Sequence, residues 1–154
     1  MRILYLSVHS TLEHSEIKLL SELGHDIFSL QGAYQNGGGD GKRPPNPHIH
    51  LQYISMQCSR DNIHPELIEW SDVILVMHNT LWIESNWKNI KHKKVIWRSI
   101  GQNRESNEKD LKKFRPEGLK LIRYSPEEAN IPKYQGQDAL IRFYKDPDEY
   151  YGYN

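Results

Sequence analysis

An open, mostly parallel α/β sheet with helices on both faces is the fold the sequence predicts, and three features predict it. Residues 2–8, Arg-Ile-Leu-Tyr-Leu-Ser-Val, read as a buried strand. A helix-period stretch from Leu12 to Leu23 follows, stopped by Gly24-His25-Asp26, and residues 27–30 give a short second strand. Strand-like and helix-like segments then alternate along the rest of the chain. A parallel sheet built this way opens its ligand crevice at the carboxyl ends of its strands, so those ends are where candidate functional residues are sought.

The elements follow in order. The first helix carries Leu12, Glu16, Leu19, Leu20 and Leu23 at three- and four-residue spacing, with Ile17 beside them. Ser10 or Thr11 can cap its start, and Gly24 suits a left-handed end. Residues 36–47 hold four glycines and three prolines and predict a long irregular loop. His50 to Ile54 fits a third strand, and residues 65–70 a short helix. Residues 72–77, Asp-Val-Ile-Leu-Val-Met, form the most apolar run and predict the central strand. A helix is expected over 80–90, a strand over 94–97, and a charged helix over 106–114. Two more strands are expected over 118–124 and 139–144.

Composition bounds the rest. A chain of 154 residues suits one domain around one core. Its 20 basic and 20 acidic side chains balance, which argues against a nucleic-acid or anionic-membrane surface. Lys88, Lys91, Lys93 and Lys94 read as a solvated helix end and strand entry. The lone Cys58 cannot form an internal disulfide, so a reducing compartment is expected. No apolar run approaches the roughly 18 residues of a membrane span, and the N-terminus lacks a signal-peptide cleavage pattern. A cytoplasmic location is therefore expected, with peripheral attachment to the inner membrane as a further option. The apolar fraction of 37% is low and points to long polar loops or a missing partner domain.

The predicted strand ends are polar. The first delivers His9, Ser10 and Thr11. The central strand delivers His78, Asn79 and Thr80. The next delivers Arg98, Ser99, Gly101, Gln102 and Asn103, and the strand over 118–124 delivers Arg123, Tyr124 and Ser125. Hydroxyls, amides, imidazoles and guanidiniums suit a polyol or a phosphorylated ligand. His78 is a candidate acid, base or hydrogen-bond donor at the crevice, or else a histidine closing the core edge. Arg98 could hold a phosphate or carboxylate in its fork, or else pair with a neighbouring carboxylate. Residues 101–103 read as a turn, where Gly101 would also let a ligand approach the backbone. The histidines lack ligand spacing, so no metal site is expected. Trp70, Trp82, Trp87 and Trp97 read as core or helix-face packing.

Several motifs are absent. No Gly-x-Gly-x-x-Gly follows the first strand, and no Gly-Lys-Ser/Thr loop or Gly-x-Ser-x-Gly elbow occurs. Ser7, Ser10 and Thr11 form a faint hydroxyl-rich loop like that of flavodoxins, without its glycine.

Further segments carry a family resemblance. The opening strand at residue 2, the helix ending in Glu22-Leu23-Gly24-His25-Asp26, and Ser71 to His78 resemble the N-terminal half of two-domain GT-B glycosyltransferases. Residues 95–102, 121–126 and 139–147 resemble a bacterial branch of these enzymes, close to glycosyltransferase family 4. The resemblance implies a Rossmann-like acceptor-side domain over residues 1–154, with the C-terminal nucleotide-sugar domain missing from this chain. The implied enzyme moves a sugar from a nucleotide-sugar to a hydroxyl of a sugar or glycan acceptor, without a resident cofactor or metal. The fragment alone would be inactive. His78 is the residue the resemblance matches to the cleft histidine, in a catalytic role. His9, Ser10, Thr11, Asn79, Arg98, Gly101, Gln102, Arg123 and Ser125 are the candidate acceptor or donor contacts. The alternative is a self-contained, flavodoxin-like small-ligand or nucleotide-binding module. A partner-binding protein without a ligand is a third option.

Overall fold

A computed structural model describes residues 1–7, 10–29, 49–100, 109–125, 127 and 136–143. Among them, six strands form one sheet in the order β2-β1-β3-β4-β5-β6, every neighbouring pair parallel. The strands are β1 (Arg2–Leu6), β2 (Asp26–Ser29), β3 (Val73–Met77), β4 (Lys94–Arg98), β5 (Lys120–Arg123) and β6 (Ala139–Leu140). The helices are α1 (Ser10–Glu22), α2 (Ile49–Ser55), α3 (Pro65–Trp70) and α4 (Leu81–Ile90), with a 3-10 helix at Lys109–Phe114. The predicted α/β parallel sheet is thus the observed one.

Crossover handedness explains the layers. The chain steps one way from β1 to β2 and the other way from β3 to β4, so right-handed crossovers put α1 and α4 on opposite faces. The core is divided accordingly. Ile3, Tyr5, Ile27, Val73, Leu75 and Met77 pack with Ile17, Leu12 and Leu20 of α1. Leu4, Leu6, Phe28, Ile74, Val76, Val95, Trp97 and Leu121 pack with α2, α3, α4 and the 3-10 helix. The period-two alternation of strand side chains assigns each residue to its face. All five side chains of β3 are buried, which is why its sequence is continuously apolar. No helix among the described residues is long and apolar enough to cross a membrane.

The helix ends obey their local chemistry. Gly24 has φ +82°, and the His25 amide donates to the Leu20 carbonyl at 3.0 Å, closing α1 with a left-handed residue. Pro65 opens α3, where the missing amide hydrogen costs nothing, and His64 Nδ1 accepts from the Glu66 amide at 3.2 Å. In α4, Asn86 is buried and saturated. Its Oδ1 accepts from the Ile63 amide at 2.9 Å, and its Nδ2 donates to the carbonyls of Arg60 and Trp82 at 2.8 and 3.0 Å.

Three predicted elements differ. The predicted third strand at His50–Ile54 is helix α2. Its inward contacts come from Leu51 and Ile54, three residues apart, while Tyr53 faces solvent, and that spacing belongs to a helix. The last strand covers only Ala139–Leu140, and the charged helix is observed as the 3-10 turn from residue 109. A fourth departure is the face α1 turns inward. Leu23 is 63% exposed, whereas Glu13, His14, Ser15 and Glu16 are buried beside Ile17.

Candidate functional site

The strand order locates the crevice. Successive connections leave β1 and β3 in opposite directions, so the carboxyl ends of these two adjacent strands splay apart. This 2-1-3-4-5 order is the flavodoxin-like version of the doubly wound sheet. Ser7, fully buried, lies at the end of β1 and donates its hydroxyl to the Met77 sulfur of β3 at 3.5 Å. Helix α1 begins at Ser10 just beyond β1, and α4 begins at Leu81 just beyond β3. The amino ends of two helices therefore border the crevice, each with a partial positive charge, and at α4 the Leu81, Ile83 and Glu84 amides are already taken by Asn79 and Thr80.

His78 occupies the end of β3 in an uncommon conformation. Its φ is +64°, and among the described residues it is the one non-glycine with positive φ. The Asn79 amide donates to the Met77 carbonyl at 2.7 Å, closing a three-residue turn centred on His78. A γ-turn with positive φ is the strained hand, and such residues cost about 1–3 kcal/mol. Strand β4 holds it from both sides. The His78 amide donates to the Arg98 carbonyl at 2.8 Å, and Trp97 Nε1 donates to the His78 carbonyl at 3.0 Å. Asn79 Oδ1 accepts from the Leu81 amide at 3.0 Å, so it caps the start of α4.

The two arginines are separated by the sheet. Arg98 projects to the α1 side, 6% exposed, and ion-pairs through Nη1 with Glu16. Its Nη2 donates to the carbonyls of Ile141 and Arg142, each at 3.2 Å, and its guanidinium carbon lies 4.6 Å from the Phe143 ring centre. Arg123 is on the opposite side, 5.4 Å from the Trp97 ring centre, with Nε and Nη2 donating to the Gly136 carbonyl at 3.3 and 3.2 Å. Each guanidinium is thus committed to groups of this chain. Ser125 is half-buried just past β5. The side chains of Ser10 and Thr11, and all of His9, Gly101 and Gln102, lie outside the described residues. The structure brings together His78, Asn79 and the backbone of Arg98, and it sets Arg123 apart from them.

A buried polar network under α1 was not among the predicted residues. Ser29 donates to Glu13, and Tyr5 donates to Glu16, which also holds Arg98. Burial pushes the Glu16 carboxyl above the ordinary glutamate range, outweighing the pull of Arg98 and of the Tyr5 hydroxyl. Burial, and then the neighbouring Glu16 charge, raise the Tyr5 hydroxyl well above its usual value. The signal was present in the sequence. Tyr5 and Ser29 interrupt aliphatic strands at inward positions, and Glu13 and Glu16 stand three apart on the facing helix.

The crevice has a limited chemistry. Its described polar groups are the partly exposed His78 and Asn79, with the hydroxyl residues Ser7 and Thr80 buried, and no described guanidinium is free to meet an anion. Among the described residues, no group of three or more His, Cys, Asp or Glu side chains could hold a metal ion.

Comparison with known proteins adds little. No family model matches the chain, and no curated protein matches it. One solved structure, a Bacteroides eggerthii protein described as a "putative flavoprotein", aligns with 78% of this chain and 84% of its own at 16% identity and a TM-score of 0.37. A likeness that low carries no argument about ligand. The resemblance to GT-B glycosyltransferases is overturned: no glycosyltransferase family model matches the chain. The catalytic role carried to His78, and the nucleotide-sugar and acceptor contacts implied for the other residues, lose the basis that resemblance supplied.

Proposed function

We propose that this chain is a flavodoxin-like small-ligand-binding module whose ligand sits at the β1/β3 crevice and bears a phosphate, as a nucleotide does. The observation that carries the reading is the strained turn at His78. A conformation that costs free energy, locked by two hydrogen bonds with β4 at the end of the central strand, is typical of a site. The phosphate is supported by the amino end of α1, which begins just beyond β1 and favours an anion. Because Arg98 and Arg123 are committed elsewhere, backbone amides and hydroxyls would meet the charge.

The test is a titration of the full chain with flavin mononucleotide, ADP, riboflavin, adenosine and inorganic phosphate, followed by NMR. Saturable shifts at the Ser7, His78 and Asn79 amides, from the phosphorylated compounds and weaker from their dephosphorylated partners, are expected. Absence of shifts at those amides with every compound overturns the reading. Equal shifts from riboflavin and flavin mononucleotide overturn its anionic part.

A further inference from the structure

We infer that Arg98 is a latch that fastens the segment Ile141–Phe143 across the carboxyl ends of β4 and β5 and couples its position to helix α1. The path of the chain is the first observation. After β6 the Ile141 amide donates to the Arg123 carbonyl at 2.8 Å, continuing the ladder. The chain then turns back over the sheet: the Phe143 ring stacks on Tyr124, just past β5, with centres 5.6 Å apart, and reaches Arg98, the last residue of β4. Phe143 packs with the α1-side core, beside Ile96 and Ile100. This strap therefore runs from the sheet's edge toward the β1/β3 crevice.

What holds it is the second observation. Leu140 and Ile141 are about half exposed, so apolar burial holds the segment weakly. Beyond the Ile141 amide, the carbonyls of Ile141 and Arg142 both accept from one nitrogen, Arg98 Nη2, and the aromatic anchor lies against the same guanidinium. The orientation of that guanidinium is set from the other side by Glu16 of α1. A planar fork that bonds a carboxylate through one nitrogen and two carbonyls through the other cannot rotate without breaking both sets. Lysine, a point charge with no plane, cannot replace it. Strap and helix consequently share one element: when Glu16 is withdrawn or uncharged, Arg98 becomes a buried cation lacking its counterion, and its easiest relief is to swing toward water and release the strap. The latch stands on the fold alone and does not depend on the ligand proposed above.

The experiment is residue-resolved amide exchange on the full chain, comparing wild type with Glu16→Gln, Arg98→Lys and Phe143→Leu. The Ile141 amide reports the strap, and the Ile74 amide in the central strand reports global opening. Loss of one charge-assisted bond predicts exchange at Ile141 faster by about 10- to 100-fold in Glu16→Gln and Arg98→Lys. Ile74 is expected to change less than Ile141 by at least about tenfold. Unchanged exchange at Ile141, or equal acceleration at Ile141 and Ile74, overturns the latch. Phe143→Leu leaves the ion pair in place and serves if the charge variants fail to fold. It is expected to accelerate Ile141 alone, and no acceleration there overturns the latch as well.

Discussion

Replacing Arg98 by methionine removes a charge from a site where the remaining charge cannot reach water. Arg98 and Glu16 are 6% and 4% exposed. Deleting one partner of a buried ion pair costs about 3–5 kcal/mol, because the other is left uncompensated. Two terms adjust this for the present site. The Tyr5 hydroxyl still donates to Glu16, which softens the loss, while the carbonyls of Ile141 and Arg142 lose their donor. The expected cost is about 3–4 kcal/mol, a large share of the roughly 5–15 kcal/mol that holds a domain folded. For a chain of this size it lowers the thermal midpoint by roughly 6–16 °C. Chemical denaturation of wild type, Arg98→Met, Glu16→Gln and the double variant measures it as a cycle. The double variant has no buried charge left at this position, so the two losses should overlap by about 1–3 kcal/mol.

The pH dependence gives a second reading of the same cycle. Burial already raises the Glu16 carboxyl in the folded state, and removing Arg98 removes a cause that lowers it. A group raised on folding weighs against the folded state once pH exceeds its folded value, and not at all below its unfolded value, near 4.3 for glutamate. The gap between wild type and Arg98→Met should therefore widen as pH rises from about 4.3 and narrow as it falls. A cost under about 1 kcal/mol at pH 7, or additivity of the two single variants within about 0.5 kcal/mol, refutes the reasoning.

Three further outcomes are expected. His78→Val should be the worst substitution at the strained turn, about 1–2 kcal/mol less stable than His78→Asn, because a β-branched residue resists positive φ and asparagine tolerates it; equal denaturation midpoints for the two would remove strain from the account. Asn86→Ala strips the Ile63 amide and the Arg60 carbonyl of their partner and should cost about 1–3 kcal/mol, read by thermal unfolding, with a cost below about 0.5 kcal/mol counting against it. Burial pushes Asp138 up, yet the Leu121 amide and the Arg115 and Lys120 cations outweigh it and hold the carboxyl below its ordinary range. Its stabilisation is present above the unfolded value near 3.9 and lost as pH falls through the folded one. The difference in stability between wild type and Asp138→Asn should therefore shrink as pH falls below about 3.9 and be fully present at pH 7, and a constant difference would contradict it.

The legible and illegible parts of this protein divide along a physical line. Strands β1, β3 and β4 were readable because both their faces are buried and their sequences are almost continuously apolar. That property is local to each segment, so no knowledge of neighbours is needed. The end of α1 was readable for the same reason, since Gly24 supplies a left-handed residue whatever packs nearby. The inward face of α1 was not. The three- and four-residue spacing places Leu23 on the inward face with Glu16, whereas the structure exposes Leu23 and buries Glu13, His14 and Ser15 beside Glu16. Glu13 and Glu16 can face the sheet only because Ser29 on β2, Tyr5 on β1 and Arg98 on β4 present complementary groups on one face. That fact depends on the strand order, which a linear reading lacks. His78 shows the same division. Its place at the end of the central strand was predicted, but its strained backbone is imposed by Trp97 and Arg98 on the neighbouring strand, and composition does not record a dihedral angle. Arg98 joins the two cases. Its backbone carbonyl braces His78 at the crevice, and its side chain neutralises Glu16 and grips the strap. Of the two roles the sequence left open for Arg98, a ligand anion or a neighbouring carboxylate, the structure shows the carboxylate, and through it Arg98 joins the crevice, the first helix and the segment beyond the last strand.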